Sequence, residues 1–392
     1  MTRITDILFV LGIGLLVFGF QPAVAQSNPN VSVLDDPLVR DVGKRGLDHL
    51  YNLEFDAARE AFVQIDRRFP GHPIGPFLTS LTTWWEILLD IQDQSRDDQF
   101  FKAMDEVIRR ADKMLDRDDR SVDAMFFKGA ALGFRGRLRS NRGDWFKAAM
   151  DGKKAMDYVL AVPEIEEQKP DYSFGKGLYD YFAAVVPQRY PFVKPVMAFF
   201  PKGDRALGLK EIQHTADNGY FIQTEAAYFL LQIYYLYELD YEGCVRYVTW
   251  LRDHYPRNSF FHGLEGRVYA KWNEREKASR IFADIVELYK EKQTGYNEPL
   301  AEQALYYLGR LRMSDRDYDG ALTYLLQLEA LSARSSQDTY FKVMGRLRQG
   351  MAYDAVGKRS LATSRYREVL KMKAHARSHE RAERYLKKPY QG

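Results

Sequence analysis

Cysteine is almost missing from this chain: Cys244 is the only one in 392 residues. A single thiol excludes an internal disulfide framework and any cysteine-rich metal site. Excess charge of one sign is missing too. Lys and Arg number 57 against 54 Asp and Glu, a formal net of +3, and such balance argues against a dedicated nucleic-acid binder. Beyond residue 25 there is no G-x-x-x-x-G-K-[ST] and no G-x-G-x-x-G following a strand, so no phosphate-cradling loop is expected. What the chain does have is apolar and aromatic weight, 46% and 14% of residues, enough to build a core without covalent staples.

The longest apolar run comes first. Ile7 to Phe20 reads ILFVLGIGLLVFGF, preceded by Arg3 and followed by Ala23-Val24-Ala25. That order reads as a secretory signal peptide cut after Ala25, so that the mature chain begins at Gln26. An uncleaved anchor is the alternative, but the run is shorter than the ~20 residues a spanning helix needs. Removing Arg3 and Asp6 with the signal leaves the net charge at +3. An exported, periplasmic protein is the expectation.

The C-terminal half repeats itself. Gly266, Tyr269, Ala278, Phe282 and Ile285 recur as Gly309, Arg312, Ala321, Leu325 and Leu328, then as Gly350, Tyr353, Ala362, Tyr366 and Val369. Small residues at fixed distance let two helix backbones approach, while large ones at helical intervals fill the seam. Gly46, His49, Ala58, Phe62, Ile65 and Pro70 fit the same frame near the start, and Cys244, Val248, Leu251 and Pro256 fit its second half. Cys244 thus occupies a small-residue site, and a packed, inert thiol is expected there. The spacing resembles the tetratricopeptide repeat (TPR), two antiparallel helices per unit, at its positions 8, 11, 20, 24 and 27. Arg312 at position 11 and Arg346 at position 4 depart from the pattern. Successive repeats are 43 and 41 residues apart rather than the ~34 of a minimal TPR, which puts the extra residues between repeats.

An arginine-rich stretch, GFRGRLRSNRGDW from Gly133 to Trp145, falls into this frame. Gly143, Asp144, Trp145 and Ala148 match the turn and the start of a second helix, which places Gly136 at position 8. Its arginines then lie on a first helix and its glycines serve close packing. Residues 190–201, by contrast, contain Pro191, Pro195 and Pro201 among Phe192, Val193, Val196, Met197, Phe199 and Phe200, and cannot form one regular helix. Gly203, Asp204 and Gly208 resume the turn spacing. GKGLYDYFAAVVP and FFPKGDRALGLKEI around this break are similar to a signature of the eukaryotic outer-membrane-associated TPR family, over residues 172 to 240.

Catalytic chemistry is not evident. His375 and His379, spaced by one helical turn, could together touch a metal, but they sit in the basic stretch KMKAHARSHERAERYLKK, where a solubilising cap on the array is the simpler reading. No H-E-x-x-H or G-x-S-x-G occurs, and the pairs Asp35-Asp36 and Asp97-Asp98 suit helix starts. No cofactor, metal or enzymatic activity is expected.

The TPR resemblance implies a concave groove lined by first helices at positions 2, 5, 6, 9, 12 and 13. Arg137, Arg267 and Arg310 take position 9, Arg348 takes position 6, and Phe229, Tyr237, Phe260, Tyr306 and Tyr307 fall on neighbouring groove positions. Guanidinium groups among aromatic faces suit carboxylates or acidic peptides; a solvated or internally salt-bridged row is the competing reading. Arg135, Arg139 and Arg142 should project elsewhere and pair with acids. The expectation is therefore an all-α, TPR-like α-solenoid of about seven helix pairs. Its divisions are a signal at 1–25, a disordered segment at 26–36, the array at 37–370 with an apolar insertion at 190–201, and a basic capping helix at 371–392. Its groove would bind a protein or peptide and no nucleic acid. The alternative is a membrane-proximal assembly factor docking peripherally through 190–201. Partner identity and oligomeric state are not encoded in any feature above.

Overall fold

The computed structural model describes residues 32–165, 169–191, 194 and 200–392. Among these residues the protein is all-α, a TPR-like array of antiparallel helix pairs arranged as two compact units meeting in sequence at Glu238 and Leu239. The expected signal peptide and most of the expected insertion at 190–201 lie outside the described residues.

Among the described residues the N-terminal unit holds four pairs and a ninth helix. They are α1 (Lys44–Tyr51) with α2 (Phe55–Arg68), α3 (Ile74–Leu89) with α4 (Asp97–Leu115), α5 (Val122–Asn141) with α6 (Trp145–Ile165), and α7 (Pro170–Arg189) with α8 (Arg205–Asn218); α9 (Gln223–Ile233) follows and ends in a π-helical turn, Tyr234–Glu238. In the C-terminal unit α10 (Tyr241–His254) precedes three pairs, α11 (Ser259–Lys271) with α12 (Arg275–Lys290), α13 (Glu298–Ser314) with α14 (Tyr318–Ser332), and α15 (Tyr340–Ala355) with α16 (Arg359–Lys371). A last helix, α17 (Ser378–Lys387), closes it. In both units a first helix touches its own partner and also the first helix of the next pair, as α11, α13 and α15 do in turn.

The repeat pattern has a direct structural cause. A Cβ added at Gly46 would stand 2.5 Å from Phe62, one at Gly266 2.8 Å from Phe282 and one at Gly309 2.7 Å from Leu325. At these three sites glycine makes room for the large residue at position 24, which lies against the backbone there. Ala278, Ala321 and Ala362 are fully buried at the same crossings. Cys244 is fully buried as well, and burial pushes its thiol up to about 12, so it stays protonated and unreactive.

Five pairs share one turn. Its middle residue is left-handed, at Leu53, Gly143, Asn273, Arg316 and Gly357, and the next N–H donates back to the carbonyl five residues earlier: Glu54 to His49, Asp144 to Arg139, Glu274 to Tyr269, Asp317 to Arg312 and Lys358 to Tyr353. These bonds satisfy orphan carbonyls at the helix end. The opposite ends are capped by side chains, Ser121, Asn258, Asn297, Asp317 and Thr339 each accepting a first-turn N–H.

Several expectations need correction. The segment expected to be disordered up to residue 36 is packed where it is described. Ser32 and the Val33 N–H both donate to the buried Asp123 carboxylate, at 2.5 and 2.7 Å, and Val33 and Leu34 are buried. The expected capping helix from 371 is confined to Ser378–Lys387, because Ala376 and Arg377 are left-handed and break the chain before it. His375 therefore lies outside that helix and donates through Nε2 to the Asp338 carbonyl, while His379 Nε2 donates to the Met372 carbonyl. Among the described residues no group of three or more His, Cys, Asp or Glu could hold a metal ion. Not every glycine of the arginine-rich stretch packs: a Cβ built on Gly136 would stand 3.3 Å from the Ala148 carbonyl oxygen, but nothing comes within 4 Å of one built on Gly133. The departure at position 4 is explained by charge, since Arg346 is held between Glu329 and Glu368.

Candidate functional site

Helical period sorts the arginines of α5. Arg135 and Arg139 are four apart and share a face, whereas Arg137 points nearly opposite. Arg135 donates to both oxygens of Asp151, at 2.9 and 2.5 Å, and to Asp105 at 2.5 Å. Arg139 donates to Asp151 at 2.5 Å, and Arg142 to Asp97 at 2.5 and 2.8 Å. These three are structural cations, as their spacing implied.

Arg137 enters an aromatic setting instead. Its guanidinium lies 5.0 Å from the Trp84 ring, 5.1 Å from Phe229 and 5.7 Å from Tyr228, and it donates to the Tyr228 hydroxyl at 3.2 Å. It lines a cavity of about 310 Å³ inside the N-terminal unit, walled by side chains such as Leu34, Phe77, Leu81, Leu132, Met156 and Phe182. Glu225 also faces this cavity and accepts from the Tyr51 hydroxyl at 3.4 Å. Burial raises the pKa of its carboxyl, with the Arg137 charge and the Tyr51 bond opposing. Neither Glu225 nor Tyr51 was a sequence candidate. A lone acid inside the apolar stretch QTEAAYFLLQI was the available signal.

The other sequence candidates are distributed as follows. Phe229 is 9% exposed and packs edge-on against Phe174. Tyr237, half-buried on the π-helical turn, rests on Phe182 and Tyr181 with Arg189 over its ring. In the C-terminal unit Phe260 and Arg267 are half-buried on α11. Arg310 lies 4.6 Å over Tyr307 and donates to the Ala270 carbonyl at 3.1 Å; Arg348 lies 5.3 Å over Tyr306 and donates to its hydroxyl at 3.2 Å. Tyr307 stacks on Phe282 at 4.7 Å, its planes 9° apart.

Tyr306 is a correction of emphasis: at 3% exposure it belongs to the core, and it acts by holding Arg348. Burial works against ionisation of its hydroxyl, yet the charge and hydrogen bond of Arg348, a bond from Tyr340 and the charge of Arg310 together bring it below the usual phenol value. The C-terminal unit thus joins two half-buried guanidinium groups through a tyrosine cluster on successive first helices. Arg137 belongs to the N-terminal unit and has its own aromatic surroundings.

No protein-family model and no curated protein matches the chain. Solved structures overlap it loosely. A structure of Naa15/Naa10 bound to HypK-THB is 11% identical over 88% of this chain and 65% of that one, with a TM-score of 0.27, so the chain spans about two thirds of that protein's length. A hetero-tetramer of Cut9 and Hcn1 from the APC/C is 11% identical over 91% of each chain, with a TM-score of 0.23. Overlaps this loose say nothing of activity or partner.

Proposed function

We propose that the chain is a non-enzymatic binding scaffold that receives a carboxylate-bearing, acidic peptide or helix of a partner protein on its first helices. The observation that carries this reading is the state of Arg310 and Arg348. Both are half-buried against tyrosine rings on consecutive first helices, and neither has a carboxylate within 4 Å among the described residues. A partly desolvated guanidinium bonded only to neutral acceptors gains most from an incoming carboxylate. Arg267, at the same repeat position as Arg310, extends the proposed row.

A peptide array of Asp- and Glu-rich sequences tests the reading, with affinities of the strongest binders measured by calorimetry. Arg310→Ala should weaken them by about 1.5–3 kcal/mol, the range for hydrogen bonds to charged groups, and leave the unfolding midpoint nearly unchanged. Equal affinity in the variant would remove Arg310 from the site. A nucleic-acid site would instead betray itself by salt: three phosphate contacts to a single strand imply a log–log slope near −2, roughly 0.7 per contact.

Export is part of the same proposal, supported by the apolar run and the AVA triplet at residues 7–25. Protein recovered from a bacterial envelope fraction should begin at Gln26 on N-terminal sequencing. An intact Met1 terminus in the membrane pellet would replace export by anchoring.

A further inference from the structure

The cavity of the N-terminal unit is left over by a peptide-binding reading, and its chemistry is uneven in an informative way. At about 310 Å³ it lies at the lower end of small-molecule pockets. Most of its wall is aliphatic or aromatic. Two of its polar residues are spent on the fold: Asp171 accepts the N–H groups of Tyr220, Phe221 and Ile222, and the Tyr172 hydroxyl meets Ser32. Arg137, Glu225 and Tyr51 form a connected polar group, through the Tyr51–Glu225 hydrogen bond and the attraction between Glu225 and Arg137. The opening is marked by Gly133, which lines the cavity, is exposed, and has nothing within 4 Å of where a side chain would start.

We propose that this cavity binds a small amphiphile with an aliphatic chain and one carboxylate, the chain among Leu81, Leu132, Met156 and Phe182 and the carboxylate toward Arg137. An apolar wall with a few convergent polar groups is what such a ligand needs. Arg137 supplies a permanent cation, already desolvated by Trp84 and Phe229, whose planar donors match a carboxylate. Glu225 does not cancel it fully, because burial disfavours its charged form.

Displacement of a fluorescent fatty-acid analogue from the purified full-length protein tests this, with dodecanoate and dodecanol as competitors. Dodecanoate should bind more tightly than dodecanol. Arg137→Met, which keeps an unbranched stem over the rings, should weaken dodecanoate about tenfold and leave dodecanol unchanged. Gly133→Trp should block both competitors while its thermal midpoint stays at or above that of the parent, since the new side chain starts in open space. No displacement by either compound would overturn the proposal. So would unchanged binding in folded Gly133→Trp, or equal affinity for acid and alcohol. Tighter displacement by a leucine-rich acidic peptide than by dodecanoate would assign the cavity to a partner's side chains and overturn it as well.

Discussion

Gly208→Ala should destabilise the protein by about 3 kcal/mol, the upper end of the usual cost of overpacking, whereas Gly133→Ala should stabilise it by about 0.5–1 kcal/mol. Both glycines are in helix interiors, where alanine is intrinsically the better residue. Their surroundings reverse the sign. A Cβ at Gly208 would collide with the Tyr181 amide nitrogen, stand 2.6 Å from the Gly177 carbonyl oxygen and 2.9 Å from the Tyr181 Cα. All three atoms are backbone of α7, so no rotamer change relieves the contact and α7 and α8 must move apart. At Gly133 nothing lies within 4 Å. Chemical denaturation of the two variants side by side is the measurement. Stabilisation of both variants would show that helix propensity, and not the α7–α8 approach, dominates.

The second large effect concerns Asp151. Its side chain is 2% exposed and is held by Arg135 and Arg139, themselves 14% and 23% exposed. Taking these charges out of water costs several kcal/mol per ion, offset by their pairing. Asp151→Ala removes the shared anion and leaves Arg139 against the Phe101 ring and Arg135 with only the exposed Asp105. The expected loss is about 3–5 kcal/mol. Replacing the network as a whole, by Arg135→Met, Asp151→Leu and Arg139→Met together, should recover most of it, because no buried charge is then left unpaired. A triple variant no more stable than Asp151→Ala would mean that packing around Gly136, whose added Cβ would stand 3.3 Å from that of Asp151, governs the site instead.

How far the chain could be read without its fold depends on distance along it. Gly46 with Phe62, Gly309 with Leu325 and Gly350 with Tyr366 are each sixteen residues apart within one helix hairpin, so their juxtaposition leaves a periodic trace. The α3–α4 pair left none. Its seam is filled by Trp84 packed against Phe100, while Trp85 packs on Tyr51 of α1, and bulk replaces the small residues that announce a crossing. Turns were hidden in the same way: Leu53, Asn273 and Arg316 adopt the left-handed conformation of Gly143 and Gly357 because the back-bonded helix end imposes it, and only the glycines advertise it.

The site divides along the same line. That Arg137 parts company with Arg135 and Arg139 follows from 3.6 residues per turn, a property of the helix alone. Which acids neutralise Arg135 and Arg142, at Asp105, Asp151 and Asp97, was decided by how α4, α5 and α6 pack. So was the meeting of Tyr51 with Glu225 across 174 residues, and the burial of Tyr306, which helical register alone had put on the groove. The repeat crossings marked by glycine and alanine, and the small-residue site of Cys244, were written in local spacing, since each of those helix pairs buries its own crossing. The cavity, its polar end and the cations bonded only to neutral groups exist because separate pairs stack, and a stacking contact has no period in the sequence from which it could be read.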